Sequence, residues 1–330
     1  MERDELNMAD MTFLQNGGGW TTNIGNAFLD LGSIELLRQA FPESEVHLSS
    51  VMNRYYSKRI RGGILGRIAK NDGDISNVLN IQEYAKVDFV AQCGAFLGMD
   101  WFELNGPVLE KLVDRGVRLI ITGGGMTDKA YSEEEVETVR QYLKRLSPLV
   151  FISRDRESYK AFHDLAEYSY DGIDVAFFLN DAYSAMELDI PPYVVLNFDK
   201  TTDPDLDGID LDGRKIVRIH HSFFHKLFST EHFKYRSHYY GKKNVMISEI
   251  PYGYLNLYAG AEEVYSDRVH ACVASMVYGT QARLFSSTSR AGLLERVGLE
   301  SVLSELTYPD ISSIQKEKEK QVKFLSEILS

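Results

Sequence analysis

Residues 264–279 have the sequence VYSDRVHACVASMVYG. The apolar start is typical of the end of a buried strand, and the polar run at 266–268 interrupts it. The apolar remainder predicts a helix that ends near Gly279, because glycine is favoured where a helix stops. A strand that enters a helix through a short polar turn is the repeating element of parallel α/β sheets. The segment therefore predicts an α/β fold with polar side chains at a strand end.

The same alternation of strand and helix extends along most of the chain. In the first half, strand patterns occupy residues 12–15, 45–51, 88–93, 118–122, 149–153 and 174–178. In the second half, they occupy residues 193–198, 215–221, 244–250, 263–266 and 282–286. Strands separated by helical segments predict parallel sheets with crossover helices. We therefore expect two Rossmann-like, doubly wound domains that face a central cleft, with ligands bound at the carboxyl ends of the strands.

The expected domain boundary lies at residues 188–192, where the sequence LDIPP interrupts the pattern. This boundary divides the chain into an N-terminal domain, 1–188, and a C-terminal domain, 189–330. One helix is predicted to begin after Ser132, because Ser132 and Glu135 form a capping-box pattern. The last helix is predicted over residues 312–329. By analogy with other two-domain folds, we expect it to pack back on the N-terminal domain.

Composition and charge limit the kinds of partner that the chain can bind. The 330 residues carry a formal net charge of −12, which argues against nucleic acid as a partner. No apolar run approaches the roughly 20 residues of a membrane span. The polar residues 1–10 do not resemble a signal peptide. Cys93 and Cys272 lie in apolar stretches, as buried thiols of a reducing compartment do. We therefore expect a cytoplasmic globular protein.

Two glycine-rich segments follow predicted strands. Residues 16–26 (NGGGWTTNIGN) lead into a helix, and residues 122–126 (TGGGM) end another strand. Glycine lets backbone N–H groups approach an anion, and a helix start adds favourable partial charge. A tight turn and close backbone packing are the competing explanations. Neither segment is a G-x-G-x-x-G fingerprint, and the chain has no G-x-x-x-x-G-K-[ST] loop, which disfavours nicotinamide dehydrogenases and ATPases.

Residues 153–158 (SRDRES) also follow a predicted strand. The planar guanidinium of Arg154 suits a carboxylate or a phosphate. Ser153 or Asp155 is placed to cap the helix that follows. A solvated cluster of charged side chains is the competing interpretation.

Arg268 and His270 give the clearest physical sign of function. Ser266 or Asp267 is the expected N-cap of the helix in 264–279, which places Arg268 and His270 in its first turn or just before it. A cation at that position opposes the helix dipole and lowers stability unless an anion offsets it. The pattern therefore predicts an anion-binding site at this helix start.

Together, these motifs resemble the polysaccharide pyruvyl transferase family. Residues 266–271 (SDRVHA), followed by an apolar helix, resemble its C-terminal signature, and residues 153–158 resemble its R-D-x-x-S segment. Residues 23–26 (NIGN) resemble its N-x-G-D motif, although Asn26 stands where aspartate is usual. Residues 286–299 resemble the family's tail. The resemblance implies a glycosyltransferase-B-like fold, phosphoenolpyruvate as donor and a sugar or lipid-linked glycan as acceptor.

The resemblance also implies roles for particular residues. His270 is the candidate general acid or phosphate partner, and Arg268 and Arg154 are expected to clamp the donor. Asp267 is expected to orient Arg268 or to cap the helix. The other expected substrate-binding residues are Ser153, Gly123, Gly124, Gly125, Asn23, Gly25 and Arg290. The chemistry needs no redox cofactor and does not require a metal.

A basic, aromatic segment at residues 220–243 lies outside these motifs. It is rich in His, Lys, Arg, Phe and Tyr, and Glu231 is its only acid. Three interpretations stay open: a partly buried helix with a solvated face, a surface that binds the acceptor or an anionic membrane, and a metal site.

Two rival functions also stay open at this stage. One is a nucleotide-sugar glycosyltransferase of the same architecture. The other is a non-catalytic homologue that binds an anion or a glycan, which Asn26 in place of aspartate favours.

Overall fold

The computed structural model describes residues 11–51, 79–126, 131–199, 201, 213–222, 242–286 and 289–329. The chain forms two compact units. Unit 1 comprises Met1–Gly18, Leu36–Gly172 and Val322–Ser330, and unit 2 comprises Gly19–Glu35 and Ile173–Gln321. The chain thus passes from unit 1 to unit 2 at 172/173, before the boundary expected at 188/189, and residues 19–35 join unit 2. The expected division into an N-terminal domain, 1–188, and a C-terminal domain, 189–330, stays a prediction.

Unit 1 is built on a parallel sheet. Its described strands are β1 (Thr12–Asn16), β2 (Glu45–Ser49), β3 (Phe89–Leu97), β4 (Arg118–Met126), β5 (Val150–Ser153) and β6 (Tyr168–Asp171). They pair in the order β2-β1-β3-β4-β5-β6, and each of these pairs is parallel. The strand order reverses between β1 and β3, which creates a topological switch point at their carboxyl ends.

Helices alternate with these strands along the chain. They are α1 (Gly25–Ala40), α2 (Met99–Asp114), α3 (Glu133–Leu146) and α4 (Arg156–Phe162), with 3-10 turns at Ile81–Tyr84 and His163–Leu165. Phe102 and Leu109 of α2 and Leu143 of α3 belong to the core of unit 1. The predicted capping box of α3 is confirmed, because Ser132 and Glu135 each accept a hydrogen bond from the other's backbone N–H.

The glycines at 123–125 lie inside β4 and not in a loop. A Cβ atom on Gly124 would lie 2.7 Å from Ile121 Cγ2 and 3.2 Å from Phe151 Cε2. The register of β4 with both neighbouring strands also shifts at Gly124. The strand therefore continues through these glycines, and close packing, one of the competing explanations, accounts for Gly124.

Unit 2 is built on a second parallel sheet. Its described strands are β7 (Tyr193–Asn197), β8 (Lys215–Ile219), β9 (Val245–Met246), β10 (Glu263–Ser266) and β11 (Gln281–Leu284). They pair in the order β11-β10-β7-β8-β9, all in parallel. The chain runs from β7 towards one edge and then returns to add β10 on the other side of β7. The carboxyl ends of β7 and β10 therefore flank the switch point of this sheet.

The helical elements of unit 2 include one that replaces a predicted strand. They are α5 (Leu179–Ala182), α6 (Pro251–Gly260), α7 (Val269–Val277) and α8 (Ile311–Ile328), with 3-10 turns at Val175–Phe178, Ser289–Val297 and Glu300–Leu303. The strand predicted at 174–178 is wrong, because Asp174 caps the 3-10 turn that follows it. The turn is buried on all sides, so its apolar run carries no periodicity that would separate helix from strand.

The last helix, α8, contributes residues to both units. In unit 2, the ammonium of Lys318 donates to Asn180 Oδ1 at 3.1 Å. In unit 1, the ring of Phe324 stacks on that of Tyr170 with centroids 4.7 Å apart.

Among the described residues, no helix combines the length and the apolar character that a membrane crossing requires.

Candidate anion-binding site

Polar residues follow three strands of unit 2 and gather near its switch point. Asp199 follows β7, His220 and His221 follow β8, and Arg268 follows β10 directly before α7. Apart from Arg268, these residues are buried. They are linked by hydrogen bonds to one another, and His270 and Asp174 form a neighbouring pair. We call this set the strand-end cluster; it consists of Asp174, Asp199, His220, His221, Arg268 and His270.

Asp199 is the centre of the strand-end cluster. Its Oδ2 accepts hydrogen bonds from Arg268 Nε at 2.9 Å and from the His221 N–H at 3.0 Å. Its Oδ1 lies 3.3 Å from His220 Nδ1. Burial alone would raise the pKa of this carboxyl, but the hydrogen bond with His220 and the charge of Arg268 outweigh it and lower the pKa to about 2. Asp199 is therefore ionised at neutral pH and holds the Arg268 guanidinium in place.

His270 is the second residue of α7 and pairs with a buried carboxylate. Its Nε2 lies 3.4 Å from Asp174 Oδ2, and Asp174 Oδ1 accepts from the Ala176 N–H at 2.9 Å. Arg268 stands at the N-cap position of α7. The predicted positions of Arg268 and His270 at the start of this helix are therefore confirmed.

His221 is an uncharged member of the cluster. Its Nε2 lies 2.6 Å from the hydroxyl oxygen of Tyr258, and the ring packs edge-on against Phe28 at 5.4 Å. Burial lowers its pKa from 6.5 to about 3. His221 therefore contributes hydrogen bonds and shape to the cluster at neutral pH, whereas Arg268 contributes charge.

The loop that leads into α1 lies against these histidines. The Ile24 N–H donates to the His221 carbonyl at 2.9 Å. Asn23 Oδ1 accepts from the Gly25 N–H at 3.2 Å, and Asn23 Nδ2 donates to Asn26 Oδ1 at 3.2 Å. A Cβ atom on Gly25 would lie 3.6 Å from Nδ1 of both His221 and His270. The structure thus places Asn23 and Gly25 beside the cluster, and Asn26 takes part through its amide.

Ser266 and Asp267 do not cap α7, so that prediction is wrong. Within the described part of the chain no side chain caps this helix, and Ser266 Oγ accepts instead from the Arg268 N–H at 2.8 Å. Asp267 accepts from the backbone N–H groups of Asp199 at 3.1 Å and Thr201 at 2.9 Å, because its side chain points back to the loop after β7. It approaches Arg268 Nε only to 4.0 Å. Asp199, and not Asp267, is therefore the direct carboxylate partner of Arg268.

Arg154 lies in unit 1, directly after β5. It is 2% exposed, and its Nη2 donates to the Met126 carbonyl at 3.3 Å. A Cβ atom on Gly125 would lie 2.2 Å from Arg154 Nε, so the side chain crosses β4 where glycine leaves room. Asp155 caps α4 by accepting from the Ser158 N–H at 2.7 Å, as one of the two expected caps. Ser153 is buried at the end of β5, and its binding role, like that of Arg154, stays a prediction.

The remaining predicted features fall partly outside the described residues. Arg290 belongs to the turn Ser289–Val297, but its side chain is not among those described. Residues 223–241 of the basic, aromatic segment also lie outside the described residues. His220 and His221 at its start are buried, so they do not form a solvated face. Across the residues that the structure describes, no three His, Cys, Asp or Glu side chains come together as a group able to hold a metal ion.

Comparison with known families identifies the kind of protein that carries this cluster. The sequence profile described as polysaccharide pyruvyl transferase matches residues 23–289. The chain belongs to the polysaccharide pyruvyl transferase family. The match confirms the family that the motifs predict, and it makes the chain a transferase. A comparison with curated proteins gives no significant match.

The descriptions of two solved structures with a similar fold name UDP or a UDP-sugar. MnaA of S. aureus, solved with UDP, is 11% identical with a TM-score of 0.54 over 96% of this chain and 91% of that chain. The UDP-N-acetylglucosamine 2-epimerase of Rickettsia bellii is 10% identical with a TM-score of 0.52 over 98% of this chain and 97% of that chain. These identities show the fold alone. The structural likeness confirms the predicted glycosyltransferase-B-like fold with two Rossmann-like domains.

Two carboxylates of the strand-end cluster, Asp174 and Asp199, are not among the residues predicted from the sequence. Asp199 directly follows the strand predicted at 193–198, so the strand-end argument used for Arg268 applies to it equally. Asp174 stands before an apolar run that resembles a strand, and nothing local connects it to His270. His221 is part of the basic, aromatic segment. Like Asp199, it follows a predicted strand, and this position is the signal that could have identified it as a site residue.

Proposed function

We propose that this pyruvyl transferase family member moves the pyruvyl group of phosphoenolpyruvate to a sugar and forms a cyclic ketal. Arg268 and His270 act on the donor. One observation carries the proposal: a guanidinium and an imidazole stand two residues apart at the start of α7, and each is paired with a buried carboxylate. Family membership supplies the reaction class.

The proposed reaction needs an acid and a group that binds the donor's negative charges. His270, when protonated, gives a proton to the methylene carbon of the donor, which leaves the central carbon electron-poor. A sugar hydroxyl adds to that carbon, and its proton passes to the now neutral His270. The bond from carbon to the phosphate oxygen then breaks, and phosphate leaves with the electron pair. A second hydroxyl of the same sugar adds, and its proton passes to the released phosphate, so donor and diol become ketal and inorganic phosphate.

Arg268 is the better placed of the two candidate clamps. Its side chain is 20% exposed. Its Nε donates a hydrogen bond to Asp199, and its Nη2 donates one to Ser222. A guanidinium has five N–H donors, so with respect to the described residues three others remain to bind carboxylate or phosphate oxygens. The fixed orientation also reduces the entropy lost when the donor binds. Arg154 is 2% exposed, which makes it the weaker candidate.

A thermal-shift titration with phosphoenolpyruvate tests the binding role of Arg268. Donor that binds the folded state raises the unfolding free energy, by about 2.7 kcal/mol at 100 times the dissociation constant, and the melting temperature rises with it. We expect Arg268→Ala to abolish this shift. The matched control is Arg214→Ala, since Arg214 is 16% exposed, lies in unit 2 and pairs with Glu263 at 2.6 Å. Equal loss of the shift in both variants would contradict a specific role for Arg268.

Phosphate release from phosphoenolpyruvate in the presence of sugars tests the role of His270. We expect His270→Gln to keep the donor-induced thermal shift and to lower phosphate release by roughly 10²–10⁴-fold, the usual contribution of a general acid. Full activity in this variant would refute the assignment.

Two other outcomes of these experiments would replace the proposal. Selective stabilisation by UDP in the same thermal-shift titration would indicate a nucleotide-sugar glycosyltransferase. UDP is the ligand with which the fold relative MnaA was solved. Stabilisation by phosphoenolpyruvate without phosphate release, with soluble and lipid-linked glycans alike, would indicate a binding protein. Asn26 in place of the usual aspartate is the feature that favours this second outcome.

A further inference from the structure

We propose that Asp174 is a positioning residue that fixes the tautomer of His270, with the proton on Nε2 and with Nδ1 turned towards Gly25. This inference rests on the proposed function, because it names the nitrogen from which His270 would deliver its proton. Asp174 itself would not touch the donor.

The geometry assigns the two ring nitrogens to different neighbours. Nε2 lies 3.4 Å from Asp174 Oδ2, and both side chains are buried. Nδ1 lies 3.6 Å from the point where a Cβ atom of Gly25 would stand. A carboxylate oxygen can only accept a hydrogen bond, so the nitrogen that faces it must carry the proton. The neutral ring is therefore protonated at Nε2, and Nδ1 is on the Gly25 side.

The tautomer determines which atom can serve as the acid. Protonated His270 carries a hydrogen on both nitrogens, and Asp174 stabilises that form through Nε2. Release of the Nδ1 proton to the methylene carbon of the donor leaves the ring in the neutral tautomer that Asp174 already favours. Glycine at position 25 is consistent with this direction, since it adds no side chain in front of Nδ1.

The second oxygen of Asp174 makes the inference sharply testable. Oδ1 accepts from the Ala176 N–H at 2.9 Å, as the cap of the 3-10 turn Val175–Phe178. In Asp174→Asn, the amide oxygen must remain at this position, because an NH₂ group cannot accept from an N–H. The NH₂ group then faces His270 Nε2 and donates to it. His270 is thereby forced into the opposite tautomer, with the proton on Nδ1.

Nitrogen NMR of the unliganded protein measures this change directly. Protein labelled with ¹⁵N-histidine gives separate signals for protonated and unprotonated ring nitrogens, and a difference spectrum against His270→Gln identifies His270 among the eight histidines. We expect Nε2 to carry the proton in the wild type and Nδ1 to carry it in Asp174→Asn. The matched control is Asp310→Asn, because Asp310 also caps with its Oδ1, at 3.0 Å from the Ser312 N–H, but lies on the surface.

Kinetics then connect the tautomer to the reaction. We expect Asp174→Asn to lower kcat by up to roughly 10⁴-fold, the loss that the wrong histidine tautomer causes in serine proteases, with little change in KM for phosphoenolpyruvate. Asp174→Ser retains a capping side chain but presents no amide to His270. We expect a smaller loss of kcat in this variant, with His270 able to take either tautomer.

The outcomes separate this inference from the proposed function. Inversion of the tautomer in Asp174→Asn together with the selective loss of kcat supports the inference. A wild-type ring with its proton on Nδ1, or an unchanged tautomer in Asp174→Asn, overturns it. If the wild type releases no phosphate with any acceptor, the proposed function fails, and the NMR result still decides whether Asp174 sets the tautomer.

Discussion

Substitution of Gly125 by alanine tests how Arg154 is held in unit 1. The added methyl carbon would lie 2.2 Å from Arg154 Nε and 3.0 Å from its Cδ and Cγ. Ordinary contacts between such atoms begin near 3.4 Å, so the arginine must leave its present path by more than 1 Å. Gly125 lies within β4, where its backbone is not in the left-handed region, so alanine meets no backbone strain. The side-chain clash is therefore the main cost of the substitution.

The expected loss of stability follows from this clash. Overpacking of a buried site costs about 1–3 kcal/mol. Displacement of Arg154 also breaks its bond to the Met126 carbonyl, worth about 1 kcal/mol. Alanine in a strand gains about 0.5–1 kcal/mol over glycine, which offsets part of the loss. We expect Gly125→Ala to lower the unfolding free energy of unit 1 by about 2–3 kcal/mol.

Tryptophan fluorescence during urea unfolding can be restricted to a probe that lies in unit 1. The chain has two tryptophans, Trp20 in unit 2 and Trp101 in unit 1. A Trp20→Phe background leaves Trp101, which packs against the core of unit 1. The matched control is Gly106→Ala, since a Cβ atom there meets its nearest neighbour at 3.7 Å. Gly106 lies in α2, where alanine is favoured, so the control should be neutral or slightly stabilising.

A double-mutant cycle with Arg154→Ala decides whether the clash is the cause. Removal of the arginine side chain leaves room for a methyl group at position 125. Gly125→Ala should then be neutral or stabilise unit 1 by up to about 1 kcal/mol, a coupling of about 3 kcal/mol. If Gly125→Ala costs as much in the Arg154→Ala background as in the wild type, the glycine is not there to make room for the arginine.

Three further predictions concern unit 2. In Gly32→Ala the methyl carbon would lie 1.9 Å from the Val175 carbonyl oxygen, so we expect the unfolding free energy to fall by more than about 3 kcal/mol. The control is Gly253→Ala, which should be neutral because the nearest neighbour of its methyl carbon would lie 3.9 Å away. Urea unfolding monitored by Trp20, the tryptophan of unit 2, measures both variants. Burial lowers the pKa of His221 from 6.5 to about 3, so the unfolded chain binds an extra proton between these values. The unfolding free energy should therefore fall as pH decreases below 6.5, by up to about 1.4 kcal/mol per unit from this residue, and fall less steeply in a His221→Gln variant. Burial raises the pKa of the Cys272 thiol, so a disulfide reagent should label it only as fast as unit 2 opens; rapid labelling of the native protein would contradict its burial.

The positions of Arg268 and His270 could be predicted because local sequence determines them. The apolar residues of β10, the polar break at 266–268 and the apolar residues of α7 follow one another within one short segment. The capping box of α3 is equally local, since Ser132 and Glu135 are three residues apart. Patterns of this kind depend on the backbone and on nearest neighbours, so tertiary structure does not override them.

The carboxylates of the cluster could not be predicted because their partners are distant in sequence. Asp199 is separated from Arg268 by 69 residues, and Asp174 from His270 by 96 residues. The run after Asp174 is apolar at every position, and such a run fits a buried strand and a buried turn equally. The glycines of β4 mislead for a related reason, because the side chains that they accommodate include distant ones. Gly125 leaves room for Arg154, and Gly124 leaves room for Phe151 as well as for Ile121 of β4 itself.

The pairing of cations with carboxylates argues for positioning rather than stability. Arg268 bonds to Asp199, whose side chain is fully buried, and His270 faces the equally buried Asp174. Removing such charges from water costs about as much as their attraction returns, so pairs of this kind add little net stability to a fold. They do fix orientation: each carboxylate comes from an element other than α7, so the sheet and the 3-10 turn hold the guanidinium and the imidazole independently of the helix that carries them. The start of α7 is flanked by two oriented donors and has no side-chain cap among the described residues, so it has lower stability than a capped helix start. An anion bound there would restore that stability, which links the local cost in the unliganded protein to the donor binding proposed for it.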